Sequence, residues 1–171
     1  PYQTITDEST GESLYGPDVM QRYRNRVPQK TLDSMPTSRR EKMKVAPHVY
    51  CLADDAYRSL REDFAMQSIV ISSESGAGKT EMAKIIMNYI ADTANGGESR
   101  PQEKIVASNP ILEAFGNAQT VRNGNSSRFG KYNQLFLDSD RNLLGGGVQT
   151  FLLERGRVCR PEPGERNFHV F

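Results

Sequence analysis

The chain has 171 residues, of which 36% are hydrophobic and 25% charged, and its formal net charge at pH 7 is +1. This length allows one domain with a core, and the balanced charge argues against a nucleic acid partner. No apolar run is long enough to cross a membrane, and the N-terminus, which lacks an initiator Met, shows no signal-peptide pattern. The two cysteines lack metal-ligand spacing, so we expect reduced thiols in a cytoplasmic protein.

The first 46 residues carry the weakest pattern. Residues 3–15 are polar and typical of a loop, and residues 18–26 are compatible with one or two turns of helix. Residues 27–44 hold two prolines and many basic residues, which predicts an exposed, mobile connection. From Val49 to Leu60 the apolar residues recur at helical spacing, so a helix is predicted there.

A glycine-rich loop, Ser73–Thr80, carries the strongest signal in the chain. It follows the apolar run Gln67–Ser72, for which we predict a β-strand, and it precedes residues whose apolar positions repeat with a helical period. Strand, glycine-rich loop and helix in this order form the phosphate-binding element of a P-loop nucleotide hydrolase. The sequence therefore predicts a nucleotide site at this loop.

The residue types in the loop suit that chemistry. Gly76 and Gly78 allow successive N–H groups to point at one anion, and Lys79 supplies a positive charge for the β- and γ-phosphates. The Thr80 hydroxyl can ligate Mg²⁺, and the start of the helix adds its dipole. Ser73 stands where the motif G-x-x-x-x-G-K-[ST] has glycine, which is tolerated unless that position needs a positive φ.

A short helix and a hairpin are predicted farther along. Asn109 is a good N-cap, and Gly116 can adopt the left-handed conformation that ends a helix. Strands are expected over residues 134–138 and 148–153. The glycines at 145–147 favour a bend or bulge over a second phosphate loop, because no helix follows them.

Asp138 ends the first predicted strand of the hairpin. An aspartate in this position can hold a metal ion in P-loop enzymes, but the polar turn that follows explains it as turn chemistry.

The segment Asn123–Lys131 concentrates amides, hydroxyls and a guanidinium. Alone it is a polar loop, but beside a phosphate loop it has the groups that a second nucleotide-sensing loop needs. At this point the chain closely resembles a myosin motor domain. The resemblance rests on five blocks in the family's order, at residues 47–58, 73–81, 108–120, 123–131 and 164–171. It is weaker before Pro47, where Pro1 and Tyr2 resemble the end of an adenine-side motif.

The resemblance implies a role for each matching residue. Lys79, Asn123, Ser126 and Arg128 would be catalytic, and Thr80 and Ser127 would ligate Mg²⁺. Arg128 would pair with a glutamate of switch II, a segment of the family that has the form Asp-x-x-Gly. No such segment follows switch I, here Asn123–Lys131, so we expect Arg128 to have no partner in this chain. The full set of expected ATP and Mg²⁺ contacts is Tyr15, Ser73, Glu74, Ser75, Gly76, Ala77, Gly78, Lys79, Thr80, Asn123, Ser126 and Ser127.

The implied fold is α/β, a P-loop NTPase core with a central, mostly parallel, mixed sheet flanked by helices. The chain would be part of one motor domain, with the strand, P-loop and helix at 67–92, switch I at 119–131 and the hairpin at 134–153. It would be the ATP-binding segment of an actin-based motor that couples Mg-ATP hydrolysis to movement at the cytoskeleton. Actin, and light chains or calmodulin, would bind regions missing from this chain.

Two alternatives stay open. The chain, which ends inside a recognisable block, could be a nucleotide-binding remnant without turnover, since switch II and the actin-binding region are absent. It could also be a kinesin-like or other P-loop NTPase. Kinesins share the Ser-Ser-Arg core of switch I, but the family pattern continues there with Ser-His, whereas here Phe129 follows.

Overall fold

A computed structural model describes residues 13–95 and 101–171. The chain forms two compact units. The first comprises Pro1–Val70 and Ile85–Thr93, and the second comprises Ile71–Lys84 and Ala94–Phe171. The adenine-side motif expected at Pro1 and Tyr2 and the loop at residues 96–100 lie outside the described residues.

Seven α-helices, four strands and one 3₁₀ turn are found in the described part of the chain. The helices are α1 Pro17–Arg24, α2 Gln29–Asp33, α3 Thr37–Met43, α4 Val49–Asp63, α5 Lys79–Asn95, α6 Pro101–Ala107 and α7 Asn109–Gly116. The strands are β1 Asn117–Ala118, β2 Ser126–Ser127, β3 Gly130–Leu137 and β4 Leu143–Phe151, and the 3₁₀ turn is Arg155–Val158. The strands form two antiparallel pairs, β1 with β2 and β3 with β4.

The first unit contains α1 to α4 and the middle of α5. The predicted helices near residues 18–26 and 49–60 are confirmed as α1 and α4. The connection predicted over residues 27–44 is mostly exposed, as expected, but it contains two short helices, α2 and α3, which were not predicted. Pro28 and Pro36 occupy the N-cap positions of these two helices, where a proline starts a helix instead of breaking it.

An aromatic cluster forms part of the core of this unit. Tyr50 is 2% exposed, and its ring stacks on Tyr89 at a centroid distance of 4.7 Å. His48 stacks on Tyr23 and caps α4, since its Nδ1 accepts from the Tyr50 N–H at 3.1 Å. Burial raises the pKa of Tyr50 to about 12 and lowers the pKa of His48. The cap therefore needs a neutral imidazole.

A buried carboxylate lies next to these rings. Asp54 is 2% exposed and accepts from the Tyr89 hydroxyl at 3.1 Å and from Arg58 Nε at 2.7 Å. Arg26 Nη2 lies 3.4 Å from the same carboxylate. A buried charge is tolerated only with partners of this kind, so this cluster joins α4, α5 and the segment after α1 within the unit.

The strand predicted for Gln67–Ser72 is wrong in this structure. These residues make no strand pairing. Val70 is 87% exposed, and Met66, which precedes the segment, is 98% exposed. A strand exists only when a neighbour satisfies its N–H and C=O groups, and the described residues supply none to this segment. The predicted central sheet is likewise not formed among the described residues, whose two sheets have two strands each.

In the second unit, α7 confirms the predicted short helix with two changes at its ends. Ser108, not Asn109, is the N-cap, and the Asn109 side chain instead accepts from Lys131 Nζ at 2.9 Å. Gly116 is the last helical residue and has no positive φ. It is glycine for another reason, because a Cβ there would collide with the ring of Phe129.

The hairpin is confirmed and is longer than predicted. Strand β4 holds the glycines at 145–147, which pair with residues 134–136 of β3, and the irregularity in register falls beside them at Leu144. A Cβ at Gly146 would collide with Ile105 of α6, so this glycine permits the close packing of that helix on the strand. Asp138 accepts from Asn142 N–H at 2.8 Å, which supports the turn interpretation.

Candidate functional site

The phosphate-loop segment has the backbone that its glycines allow. Gly76 and Gly78 have φ values of 86° and 81°, a region that favours glycine. Ser73 does not have a positive φ, so the serine at this departure from the motif causes no backbone strain. The departure is therefore compatible with the loop.

Lys79 closes the loop on itself. Its ammonium donates to the carbonyl oxygens of Ser73 and Glu74, at 2.6 Å and 2.8 Å. The Ala77 N–H also donates to the Glu74 carbonyl, at 3.3 Å. An ammonium has three N–H groups, so two bonds to the loop leave a third for an anion. Thr80 lies in the first turn of α5 and is half-buried.

The segment with Asn123 is braced by Thr120. The Thr120 Oγ1 accepts from the Asn123 N–H at 3.1 Å, and the Thr120 N–H donates to the Asn123 carbonyl at 2.9 Å. The Asn123 side chain in turn accepts from the Asn125 N–H at 2.9 Å. This pattern keeps the turn before β2 closed.

The pairing of β1 with β2 sets which way the side chains of Ser126 and Ser127 face. Ser126 pairs with Ala118 and is 2% exposed, whereas Ser127 is exposed, because neighbouring residues on a strand face opposite sides. The hydroxyl oxygens of Ser126 and Ser75 lie 3.1 Å apart and share a hydrogen bond. The glycine-rich loop and the Asn123–Lys131 segment therefore meet, as their predicted roles require.

The two loops also approach each other closely at Gly76. A Cβ built on Gly76 would lie 3.4 Å from the side-chain nitrogen of Asn123. The glycine thus serves both the positive φ and the close passage of the second loop.

The expectation that Arg128 has no partner in this chain is wrong. Its Nε donates to Glu154 Oε2 at 2.6 Å, and its Nη1 donates to Ser126 Oγ at 3.3 Å. Burial raises the pKa of Glu154, but hydrogen bonds from Arg157 and Arg128 outweigh it and hold that pKa below its ordinary value. The sequence carried no signal for this pair, whose members are 26 positions apart.

Tyr15, one of the expected ATP contacts, belongs to the first unit. Its carbonyl accepts from the Tyr50 hydroxyl at 3.0 Å, and its ring lies 5.3 Å from that of His48. Its predicted role stays a prediction.

The residues suit a magnesium ion that is held mainly by phosphate oxygens. Among the described residues, no group of three or more His, Cys, Asp and Glu side chains is placed to hold a metal by itself. Serine and threonine hydroxyls next to a phosphate loop suit Mg²⁺, which keeps few protein ligands and takes the rest from phosphates and water. Thr80 and Ser127 each carry a hydroxyl group; Thr80 directly follows the loop, whereas the Ser127 side chain faces the opposite side of β2 from Ser126.

Comparisons with known proteins identify the family of this chain. The family model described as "Myosin head (motor domain)" matches residues 10–171. The chain belongs to the myosin motor-domain family.

Individual relatives give the same result. The chain is 53% identical to chicken (Gallus gallus) unconventional myosin-Ia over 129 residues, which is 74% of this chain and 12% of that protein. It is 45% identical to human unconventional myosin-Ib over 160 residues, and 46% identical to the myosin IB heavy chain of Dictyostelium discoideum over 158 residues. These matches cover 92% and 91% of this chain, and 13% of each relative. The chain thus spans about an eighth of the length of these relatives.

Proposed function

We propose that this chain is the ATP-binding segment of an actin-based motor, in which hydrolysis of Mg-ATP is coupled to movement. The observation that carries the proposal is the hydrogen bond of 3.1 Å between Ser75 and Ser126, because it joins the two loops that would surround a γ-phosphate. Membership of the myosin motor-domain family supports the same conclusion.

The loop backbone and Lys79 would bind the phosphates. The positive φ of Gly76 and Gly78 allows N–H groups to converge on an anion, and the ammonium of Lys79 is held at the same loop by two carbonyls. Glu74, Ser75 and Ala77 would contribute through their place in this loop. A phosphate would compete with those carbonyls for Lys79, and its charge favours the phosphate.

The second loop would orient the attacking water. Asn123 and Ser126 present an amide and a hydroxyl near the phosphate loop, and Arg128 hydrogen-bonds the Ser126 oxygen. Thr80 and Ser127 would hold Mg²⁺, which when bound would neutralise charge on the phosphates. The contribution of the chain would be positioning and electrostatic stabilisation.

The wider setting is proposed from the family. Residues 1–171 would be part of one motor domain, which has a central, mostly parallel, mixed sheet of the P-loop NTPase type. Actin filaments, and light chains or calmodulin, would bind segments other than these residues, and the protein would work in the cytoplasm at the cytoskeleton. Within the described ranges no helix is long and apolar enough to span a membrane.

A second candidate is a chain that binds nucleotide but does not turn it over. The exposure of Val70, at 87%, favours it, since the segment before the phosphate loop makes no strand pairing among the described residues. On this reading the isolated chain would bind Mg-ATP weakly, would not hydrolyse it and would tend to aggregate through its apolar segments.

One experiment separates the two candidates. The chain replaces the matching segment of the Dictyostelium discoideum myosin IB heavy chain, with which it is 46% identical over 158 residues. Actin-activated ATPase of this chimera is compared with that of a chimera carrying Lys79→Ala. In parallel, binding of a fluorescent ATP analogue and phosphate release are measured on the isolated 171-residue chain.

If the chain is the ATP-binding segment of a motor, the chimera should have ATPase activity, and the chimera with Lys79→Ala should have none. A folded chimera without activity, together with nucleotide binding by the isolated chain, would support the second candidate. Failure of a folded chimera and of the isolated chain to bind nucleotide would overturn both.

A further inference from the structure

Arg157 is the most buried cationic side chain described in the second unit. It lies in the 3₁₀ turn and is 1% exposed. Its guanidinium donates to Glu154 Oε2 at 2.9 Å and Glu154 Oε1 at 3.3 Å, to Glu165 Oε2 at 2.6 Å and to the Arg166 carbonyl at 2.9 Å. Burying a charge is costly unless its donors are paired, so these contacts are coupled to one another.

One arm of this cluster reaches the segment before Asn123. Arg157, which holds the Glu165 carboxylate, also donates to the Arg166 carbonyl at 2.9 Å. Arg166 donates its N–H to the Gln119 carbonyl at 3.0 Å. Gln119 is therefore fastened to the segment that Arg157 anchors.

The other arm of the cluster reaches Arg128, at the end of the loop Asn123–Arg128. The Glu154 carboxylate accepts from Arg128 Nε at 2.6 Å, and the Glu154 N–H donates to the Arg128 carbonyl at 3.0 Å. Arg128 in turn donates to Ser126, which contacts Ser75 of the phosphate loop. Both ends of the Asn123–Arg128 loop thus depend on one guanidinium.

We propose that Arg157 is a positioning residue that sets the conformation of the Asn123–Arg128 loop from both ends at once. The relevance to nucleotide rests on the proposed function, in which this loop senses the γ-phosphate. Loss of Arg157 would then weaken discrimination between ATP and ADP. A residue that only stabilised the fold would affect both nucleotides alike, since they share the α- and β-phosphates.

The bidentate geometry is specific to arginine. Arg157 donates from three nitrogens in one plane, toward Glu154, Glu165 and a carbonyl. A lysine has a single ammonium and cannot span this separation of acceptors. Arg157→Lys keeps the charge and removes the bridge.

The test uses the 171-residue chain with the variants Arg157→Lys, Glu154→Gln and Glu165→Gln. The two carboxylate variants each release one end of the loop and keep the buried guanidinium. They test the proposal even if Arg157→Lys fails to fold. Arg155→Gln is the matched control, because Arg155 is an exposed arginine on the same turn. Circular dichroism checks folding, and hydrogen exchange is followed in residues 119–128 and, as an internal reference, in the β3–β4 hairpin.

Arg157→Lys is expected to speed exchange in residues 119–128 by about tenfold, as the loss of charge-assisted bonds predicts, with little change in the hairpin. Glu165→Gln should act mainly on residues 119–121 and Glu154→Gln mainly on residues 126–128. Equal acceleration in hairpin and loop, or no acceleration in the loop, would overturn the inference.

Binding of fluorescent ATP and ADP analogues supplies the second readout. We expect affinity for ATP to fall several-fold more than affinity for ADP in Arg157→Lys, and neither to change in Arg155→Gln. An equal loss for both nucleotides would overturn the sensing role. If the unmodified chain binds neither analogue, the proposed function fails, while the exchange data still decide whether Arg157 positions the loop.

Discussion

The two loops that meet at Ser75 and Ser126 are held in different ways. The phosphate loop is held by local contacts, with two glycines of positive φ and a lysine bonded to carbonyls five and six residues earlier. The Asn123–Arg128 loop also has local turns, but its end is held by Glu154, a residue 26 positions away in the chain. The first loop is a property of a short segment, and the second is a property of the packed unit.

This difference bears on how each loop can move. A loop that is held by its own backbone keeps its shape when distant segments shift, because its hydrogen bonds close within a few residues. A loop that is held by ion pairs with other segments changes when those segments change. The Asn123–Arg128 loop is therefore the better candidate for a conformational response to nucleotide.

The largest expected effect tests the local loop. Lys79→Ala should weaken binding of Mg-ATP by on the order of a hundredfold, because it removes a charge-assisted contact to the phosphates. Affinity for a fluorescent ATP analogue measures the effect, and Lys104→Ala is the control, since Lys104 is an exposed lysine on α6 of the same unit. Equal losses in the two variants would show that only general charge matters.

A glycine-to-alanine substitution in each loop tests the comparison directly. Gly78→Ala should cost roughly 1–2 kcal/mol, because its φ of 81° strains any L side chain even though the added Cβ meets nothing within 4 Å. Gly124→Ala should change stability by less than about 0.5 kcal/mol, since Gly124 has no positive φ and its Cβ would also meet nothing within 4 Å. Urea unfolding measures both, and similar costs would contradict the comparison.

The hydrogen bond between the loops gives a smaller effect. A double-mutant cycle with Ser75→Ala and Ser126→Ala should give a coupling energy of about 1 kcal/mol. The cycle of Ser75→Ala with Ser127→Ala is the control and should give none, because Ser127 faces the other side of β2. Coupling is read from urea unfolding, and its absence from the first cycle would mean that the loops are held independently.

The smallest expected effect depends on pH. Because the pKa of Glu154 is lowered in the folded chain, its contribution to stability is present above its ordinary pKa of 4.5 and is lost as pH falls through the lower folded value. Stability measured by urea unfolding should therefore decline more steeply below about pH 4.5 in the unmodified chain than in Glu154→Gln. Parallel curves would show that the ion pair with Arg128 does not form in solution.

The sequence was informative wherever structure follows from a few neighbouring residues. The phosphate loop, α4, α5 and the hairpin were predicted because their signals are glycine positions, helical periodicity and turn residues. The two short helices within residues 27–44 were not predicted, since proline marks both irregular segments and helix starts. The strand at Gln67–Ser72 was mispredicted because pairing requires a neighbour that an apolar run does not itself reveal.

The sequence by itself predicted that two loops of this chain have residues suited to phosphate binding, and it showed that they resemble those of a myosin motor domain. Only the tertiary structure decided that Ser75 and Ser126 touch, that Arg128 pairs with Glu154, and that Arg157 bonds both Glu154 and Glu165. Positive φ, capping and periodicity act over a few residues and leave a local trace in the sequence. An ion pair depends on where the fold places two distant side chains, so neither residue type nor spacing reveals it.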